Sequence, residues 1–154
     1  MVLIGSQGAG MFNHQDTLRT SSFQAQVKGR KKWHVCGPDQ TRFLYGAGKV
    51  DFFHPKYNLY PLARNATCYQ YVIEPGEMMF YPRDWWHQTY NVDDENISIT
   101  GTIADGLNFD SISHELQTDV NRPLPIIMSP SMELREAMEG CYDWLAEVYG
   151  GSLA

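Results

Sequence analysis

The sequence predicts a mainly β fold, a barrel or sandwich of short strands, followed by a C-terminal α-helix. Three observations carry this expectation. Short apolar or alternating runs recur along most of the chain, turn residues punctuate them, and the last third changes to helical periodicity. At 154 residues, 43% of them hydrophobic and 13% aromatic, the chain is long enough to bury one sizeable core. The expected division is a β core over residues 1–105 and an extension over 106–154.

Val2–Ser6 reads as a brief apolar strand that runs into Gly5, Gly8 and Gly10. This glycine-rich piece is no phosphate loop, because it lacks Gly-Lys-Ser/Thr and opens no helix. Phe23–Val27 alternates with period two, Lys28–Lys31 leads into a strand over Lys32–Cys36, and Gly37-Pro38-Asp39 closes the unit as a turn. Thr67–Ile73 is the next strand. Glu74-Pro75-Gly76-Glu77 then places proline and glycine in the order a type II turn requires. Met78–Tyr81 is a short strand stopped by Pro82, and Gln88–Val92 and Ile97–Ile103 flank the acidic turn Asp93-Asp94-Glu95. Val50–Ala63, rich in aromatics and proline, is expected to be a long loop lying across the barrel.

Beyond residue 128 the pattern is helical. Ser129-Pro130 offers an N-cap with proline at the first helical position. Leu134, Ala137, Met138, Cys141, Trp144, Leu145 and Val148 then recur at helical spacing, and Gly150-Gly151 ends the run. A helix over about 130–149 is predicted, packing on the barrel or on a second subunit of a homodimer.

Composition narrows the function classes. A net charge of −6 and a pI near 5.2 leave no basic footprint, which argues against a nucleic-acid partner and favours a peptide, protein or small molecule. No apolar run approaches the roughly 20 residues of a membrane span, so no membrane partner is expected. Met1–Gly5 has neither the basic start nor the apolar stretch of a signal peptide. The three cysteines, Cys36, Cys68 and Cys141, are widely spaced and in no CxxC arrangement. They predict buried free thiols in a reducing, intracellular compartment (cytoplasm or nucleus) rather than a disulfide or a zinc site.

The chemistry-bearing residues are His14, Asp16 and, far along the chain, His87 in Pro82-Arg83-Asp84-Trp85-Trp86-His87. Two imidazoles and one carboxylate form the facial ligand set of catalytic ferrous iron, with coordination positions left open. Residues i and i+2 of an extended segment point the same way, so His14 and Asp16 can reach one metal if residues 11–17 are extended.

These pieces carry a resemblance. Gly10 through Asp16, Phe23 through Trp33, Glu74 through Pro82, Trp85-Trp86-His87 and Ile97 through Thr100 resemble successive motifs of the JmjC-domain (cupin-like) Fe(II)/2-oxoglutarate oxygenases. They stand in that family's order and at near-family spacing over about residues 2–105. The small JmjC protein hydroxylases of the asparaginyl type are the most similar branch. The resemblance implies a double-stranded β-helix, a jelly-roll barrel, as the 1–105 core. It implies Fe(II) held by His14, Asp16 and His87, with 2-oxoglutarate as co-substrate and O2 as oxidant.

Lys31 falls where the family keeps a lysine for the distal carboxylate of 2-oxoglutarate, although by composition it is one of several lysines on a hairpin. Thr100 matches a hydroxyl position that can share that carboxylate, or is simply a β-branched strand residue. Gln24 matches a polar position lining the co-substrate pocket. Trp85 and Trp86 are expected to pack beside the metal and orient His87. There are two departures. Met11 stands where many relatives have a threonine that contacts 2-oxoglutarate, and Thr102 stands where the asparaginyl type has asparagine.

The implied activity is hydroxylation of a protein side chain with release of succinate and carbon dioxide. N-methyl demethylation and a non-catalytic JmjC or cupin binding module are the alternatives. A metal-dependent isomerase or hydrolase on such a barrel would not need Lys31 in register. Relatives in this family place further strands and helices before the first barrel strand, whereas only Met1 precedes Val2 here. The chain is therefore expected to be the C-terminal catalytic portion of a larger domain, or a minimal one, with an uncovered apolar sheet edge prone to association.

Overall fold

The computed structural model describes residues 1–118. The helix predicted over about 130–149, its dimer surface and Cys141 lie outside these residues. All seven expected strands form. They are β1 (Val2–Gly5), β2 (Ser21–Lys28), β3 (Lys31–Cys36), β4 (Cys68–Ile73), β5 (Met78–Tyr81), β6 (Trp86–Asn91) and β7 (Asn96–Ile103). Two α-helices that the sequence reading did not separate from loop are α1 (Thr41–Leu44) and α2 (Phe109–Thr118). Among the described residues no helix is long and apolar enough to cross a membrane.

The strands make two antiparallel sheets, in the orders β1-β7-β2-β5 and β4-β3-β6. A further extended piece runs beside β6. The Gly8 N–H donates to the Asn91 carbonyl, the Asn91 and Thr89 N–H groups donate to Ala9 and Met11 carbonyls, and His14 closes the run as a bridge to His87. With this piece counted, two layers of four extended segments face each other, the eight-strand arrangement of a jelly roll. Gly10 is required there: a Cβ on it would stand 2.0 Å from the Thr89 carbonyl oxygen.

Trp33, Ile73 and Tyr81 join the two layers from the inside, with Val35, Met79 and Trp85 packed against them. The interior is otherwise polar. Along β2 it is Ser22, Gln24 and Gln26 that are buried, while Phe23, Ala25 and Val27 face outward. The usual apolar-in alternation is reversed, because this barrel encloses a site. One end is closed by a polar network in which the Gln26 amide donates to Asn96 Oδ1 and the Ser98 hydroxyl donates to Gln26 Oε1. Val2, Ile4, Met78 and Phe80 are consequently exposed, and among the described residues β1 lies at one end of the four-stranded sheet.

The 50–63 segment does lie across a sheet, on the outer face of the three-stranded one. There Leu44, Val50, Phe52 and Ala63 form a second core with Cys36 and Trp86. Phe52 is tied down because its N–H donates to Gln88 Oε1, and Gln88 in turn donates to Asp51.

The cysteine expectation is corrected here. Cys36 and Cys68 are direct cross-strand partners on β3 and β4, with Cα atoms 4.4 Å apart, and form a disulfide. That separation suits a disulfide. The pairing comes from strand register across 32 residues, so spacing in the sequence carried no sign of it.

Candidate metal centre

His14 and His87 come from the two extended segments that run side by side. The His14 N–H donates to the His87 carbonyl at 3.0 Å and the His87 N–H donates back at 2.8 Å. Their rings lie 4.2 Å apart, centroid to centroid. Asp16 follows as the chain turns away, and one carboxylate oxygen, Oδ1, lies 3.5 Å from His14 Nε2 and 3.4 Å from His87 Nε2. The three predicted ligands are thus brought together, each with one ligand atom facing the others.

Neighbouring groups fix which atoms face the centre. His14 Nδ1 lies 2.7 Å from the Phe12 carbonyl, and His87 Nδ1 lies 3.1 Å from the Trp85 carbonyl. Those acceptors hold each ring by Nδ1 and turn Nε2 toward the centre, where it becomes a metal ligand when a bound cation displaces its proton. The Ser22 hydroxyl donates to Asp16 Oδ2 at 2.6 Å, leaving Oδ1 for the metal position. Burial disfavours ionised Asp16, but hydrogen bonds from His14, His87 and Ser22 outweigh it and hold the carboxyl well below the usual carboxylate range. Burial likewise opposes the charged form of His14. The hydrogen bonds to Asp16 and the Phe12 carbonyl prevail and raise its pKa.

A clamp on the outer side sets the spacing of the two ligand segments. Arg19, just past Asp16, donates to both carboxylate oxygens of Asp84 at 3.1 and 2.8 Å. Gln15 donates to the Asp84 carbonyl at 2.6 Å. Asp84 itself has a left-handed backbone (φ 65°) in the turn that delivers His87.

Behind the triad, facing strands supply the remaining predicted residues. Lys31 starts β3 with only 5% of its surface exposed, and burial is the one influence on its ammonium, with no charged or hydrogen-bonding partner among the described residues. Burial pushes its pKa down to about 8. Gln24 and Thr100 are register partners on β2 and β7. Gln24 is buried and its amide nitrogen has no hydrogen-bond partner among the described residues, while the Thr100 hydroxyl donates to the Phe23 carbonyl at 2.8 Å.

Sequence reasoning missed Ser22, Tyr81 and Trp33. The Tyr81 ring lies 4.4 Å from that of His87, and its hydroxyl interacts with Ser22 and Thr100. Burial and the charge of Asp16 push the phenol up to about 12. Trp33 Nε1 and Asn91 Oδ1 are also buried without hydrogen-bond partners among the described residues. The polar positions Ser22, Gln24 and Gln26, two apart on one strand, were the available signal.

The tryptophan expectation divides. Trp85 packs on the inner core and its carbonyl orients His87. Trp86 is corrected: it points to the opposite face, into the outer core, where its indole N–H donates to Thr41. Adjacent strand residues face opposite ways, so only one of the pair can lie beside the metal.

The donor set suits a divalent transition metal such as iron: two imidazoles and one ionised carboxylate converge on one point. The partnerless buried cation and amide suit a carboxylate-bearing co-substrate beside it.

The sequence matches known proteins over most of its length. Residues 1–101 match the cupin-like domain family. The chain is 28% identical over 152 residues to HSPB1-associated protein 1 of Bos taurus, covering 92% of this chain and 30% of that protein. It is 34% identical over 127 residues to the 2-oxoglutarate and iron-dependent oxygenase JMJD4 of Danio rerio, covering 78% and 30%. To the arginine-specific demethylase JMJ20 of Arabidopsis thaliana it is 31% identical over 112 residues, covering 70% and 24%. The chain thus spans under a third of the length of these relatives. Matched over most of its length and carrying the expected motifs at one centre, the chain belongs to the cupin-like domain family and is of the JmjC type within it.

Proposed function

We propose that this chain is an Fe(II)- and 2-oxoglutarate-dependent dioxygenase domain that hydroxylates a side chain of a protein or peptide. The observation that carries this reading is the pairing of a facial His14, Asp16 and His87 set with a buried, partnerless Lys31. A metal site of another kind would have no use for an uncompensated buried ammonium, which costs stability unless an anion meets it. The zebrafish relative's name, a 2-oxoglutarate and iron-dependent oxygenase, points the same way.

Once bound, iron and 2-oxoglutarate supply the oxidising power, with dioxygen consumed, succinate and carbon dioxide released, and a substrate C–H bond hydroxylated. The protein's own residues do the rest. His14, Asp16 and His87 would hold the metal through Nε2, Oδ1 and Nε2. Ser22 and the Phe12 and Trp85 carbonyls keep those atoms aimed. Lys31 would neutralise the distal carboxylate of the co-substrate, and Gln24 and Tyr81 offer it polar neighbours. Trp33, Tyr81 and Trp85 exclude water from the inner side.

A second reading, removal of an N-methyl group, draws on the relative named an arginine-specific demethylase. The same oxidation on an N-methyl carbon gives a hydroxymethyl group that leaves as formaldehyde. The deciding experiment incubates iron-loaded chain with 2-oxoglutarate and measures succinate, then adds candidate peptides. A peptide gaining one oxygen supports hydroxylation, and formaldehyde release supports demethylation. Absence of succinate under both conditions means a binding module without turnover.

A further inference from the structure

A second cluster of metal-ligating side chains lies on the other face of the sheet that carries His87. His34 and Cys36, two apart on β3, point outward together, and Cys68 on β4 is the direct partner of Cys36. His34 Nδ1 lies 3.7 Å from Cys36 Sγ, and the ligand atoms of all three residues lie within 4.8 Å of one another. We propose that His34, Cys36 and Cys68 form a redox-gated site for a soft divalent cation, zinc, which the reduced thiols bind and the disulfide excludes.

The ligand chemistry separates this cluster from the oxygenase centre. Two thiolates and an imidazole are a set that selects zinc, whereas two imidazoles and a carboxylate with open positions suit ferrous iron. The backbone already has the required form. A tetrahedral zinc with Zn–S bonds of about 2.3 Å needs sulfurs roughly 3.8 Å apart, which side-chain rotation supplies between Cβ atoms of a directly opposed strand pair.

His34 is preorganised as a ligand. Its ring is buried, stacks on Phe52 at 4.2 Å with an interplanar angle of 10° and meets Phe53 edge-on, which restricts its rotation. Burial, and secondarily the charge of Lys32, push its pKa down to about 4, so the imidazole is neutral and free to coordinate. Cys68 is only partly buried, so the fourth position of a three-ligand zinc is open to water on that side. The site backs directly onto the iron centre. Cys36 pairs with Trp86 and the adjacent Val35 pairs with His87, so β3 and β6 carry both.

The chemistry balances simply. A phosphine reductant transfers two electrons to the disulfide and, with water, becomes the phosphine oxide, leaving two protonated thiols. Metal binding then displaces those two protons. The test uses the whole chain carrying Cys141→Ser, so that of its three cysteines only Cys36 and Cys68 can respond. Cobalt(II) serves as the spectroscopic probe. One equivalent added to reduced, reductant-free protein is expected to give the near-ultraviolet thiolate-to-cobalt charge-transfer band and the intense visible bands of tetrahedral cobalt, with zinc then displacing it. The oxidised protein should show neither. Cobalt at His14, Asp16 and His87 cannot produce a thiolate band, so the two sites are read separately and Asp16→Ala should leave the band intact.

His34→Ala should weaken binding by more than about tenfold, the loss that even an outer-sphere partner of a metal produces. Absence of a thiolate band in the reduced Cys141→Ser titration, and equally in reduced wild type should that variant fail to fold, overturns the proposal. A band unchanged in His34→Ala overturns the three-residue site.

Discussion

The main chains of His14 and His87 are hydrogen-bonded to each other in both directions, so the two imidazoles of the centre are a strand pair rather than two loop residues. Such a pair is held at a fixed separation by the ladder itself. Only Asp16 depends on a turn, and Ser22 and the Arg19–Asp84 pair hold that turn in place.

Alanine at His14, Asp16 or His87 should therefore remove the metal and leave the barrel. Iron affinity is expected to fall by more than about a hundredfold in each variant. Stability should change by only about 1–2 kcal/mol, the ordinary cost of one side chain outside the apolar core. Metal titration combined with thermal melting checks both, and wild-type affinity in any variant takes that residue out of the centre.

Lys31→Met should act with opposite signs on stability and binding. Replacing a buried, partnerless ammonium by an apolar chain of similar length should stabilise the free protein by about 1–3 kcal/mol. The same change should weaken 2-oxoglutarate binding by roughly 2–5 kcal/mol while iron affinity is kept. Calorimetric titration on the iron-loaded protein and a melting curve of the free one give the two numbers. A variant with unaltered co-substrate affinity would show that Lys31 serves something else.

The pH dependence of 2-oxoglutarate binding should report the same lysine. Its pKa in the free protein is about 8, against an ordinary 10.5, because burial disfavours the charge. Below pH 8 the ammonium is present and meets the incoming carboxylate directly. Above pH 8 the free lysine is neutral, and pairing raises its pKa, so binding must take up a proton. Affinity should decline as pH rises from about 8 toward the bound value, by up to about tenfold per unit. For the free chain the sign is reversed: the unfolded state holds more protons between 8 and 10.5, so stability gains with pH in that window. Proton uptake measured in buffers of different ionisation heat tests the first statement, and melting across the window tests the second.

Gly10→Ala should disturb the centre without touching a ligand. The added methyl would meet the Thr89 carbonyl oxygen at 2.0 Å, so the segment that delivers His14 must move off β6. A loss of about 2–4 kcal/mol in stability, in the range of a forced backbone clash, is expected together with weakened metal binding. A melting temperature equal to wild type would mean that the segment is held elsewhere.

The sequence alone determined the strands and singled out the residues of the candidate centre. Alternation of period two, the Glu74–Glu77 turn and the stop at Pro82 are local signals, and local sterics settle them. The motif order singled out His14, Asp16, His87 and Lys31, and the structure brings the first three to one point and buries the fourth. What the tertiary structure decided is the facing of each strand. Closure of the two sheets around a polar interior turned Ser22, Gln24 and Gln26 inward, against the usual apolar rule. The same closure put Trp86 on the far side of the sheet from His87. Register between β3 and β4 joined Cys36 to Cys68 and brought His34 beside them. These outcomes depend on contacts between residues distant in the chain, and a one-residue change of register would reverse every one of them.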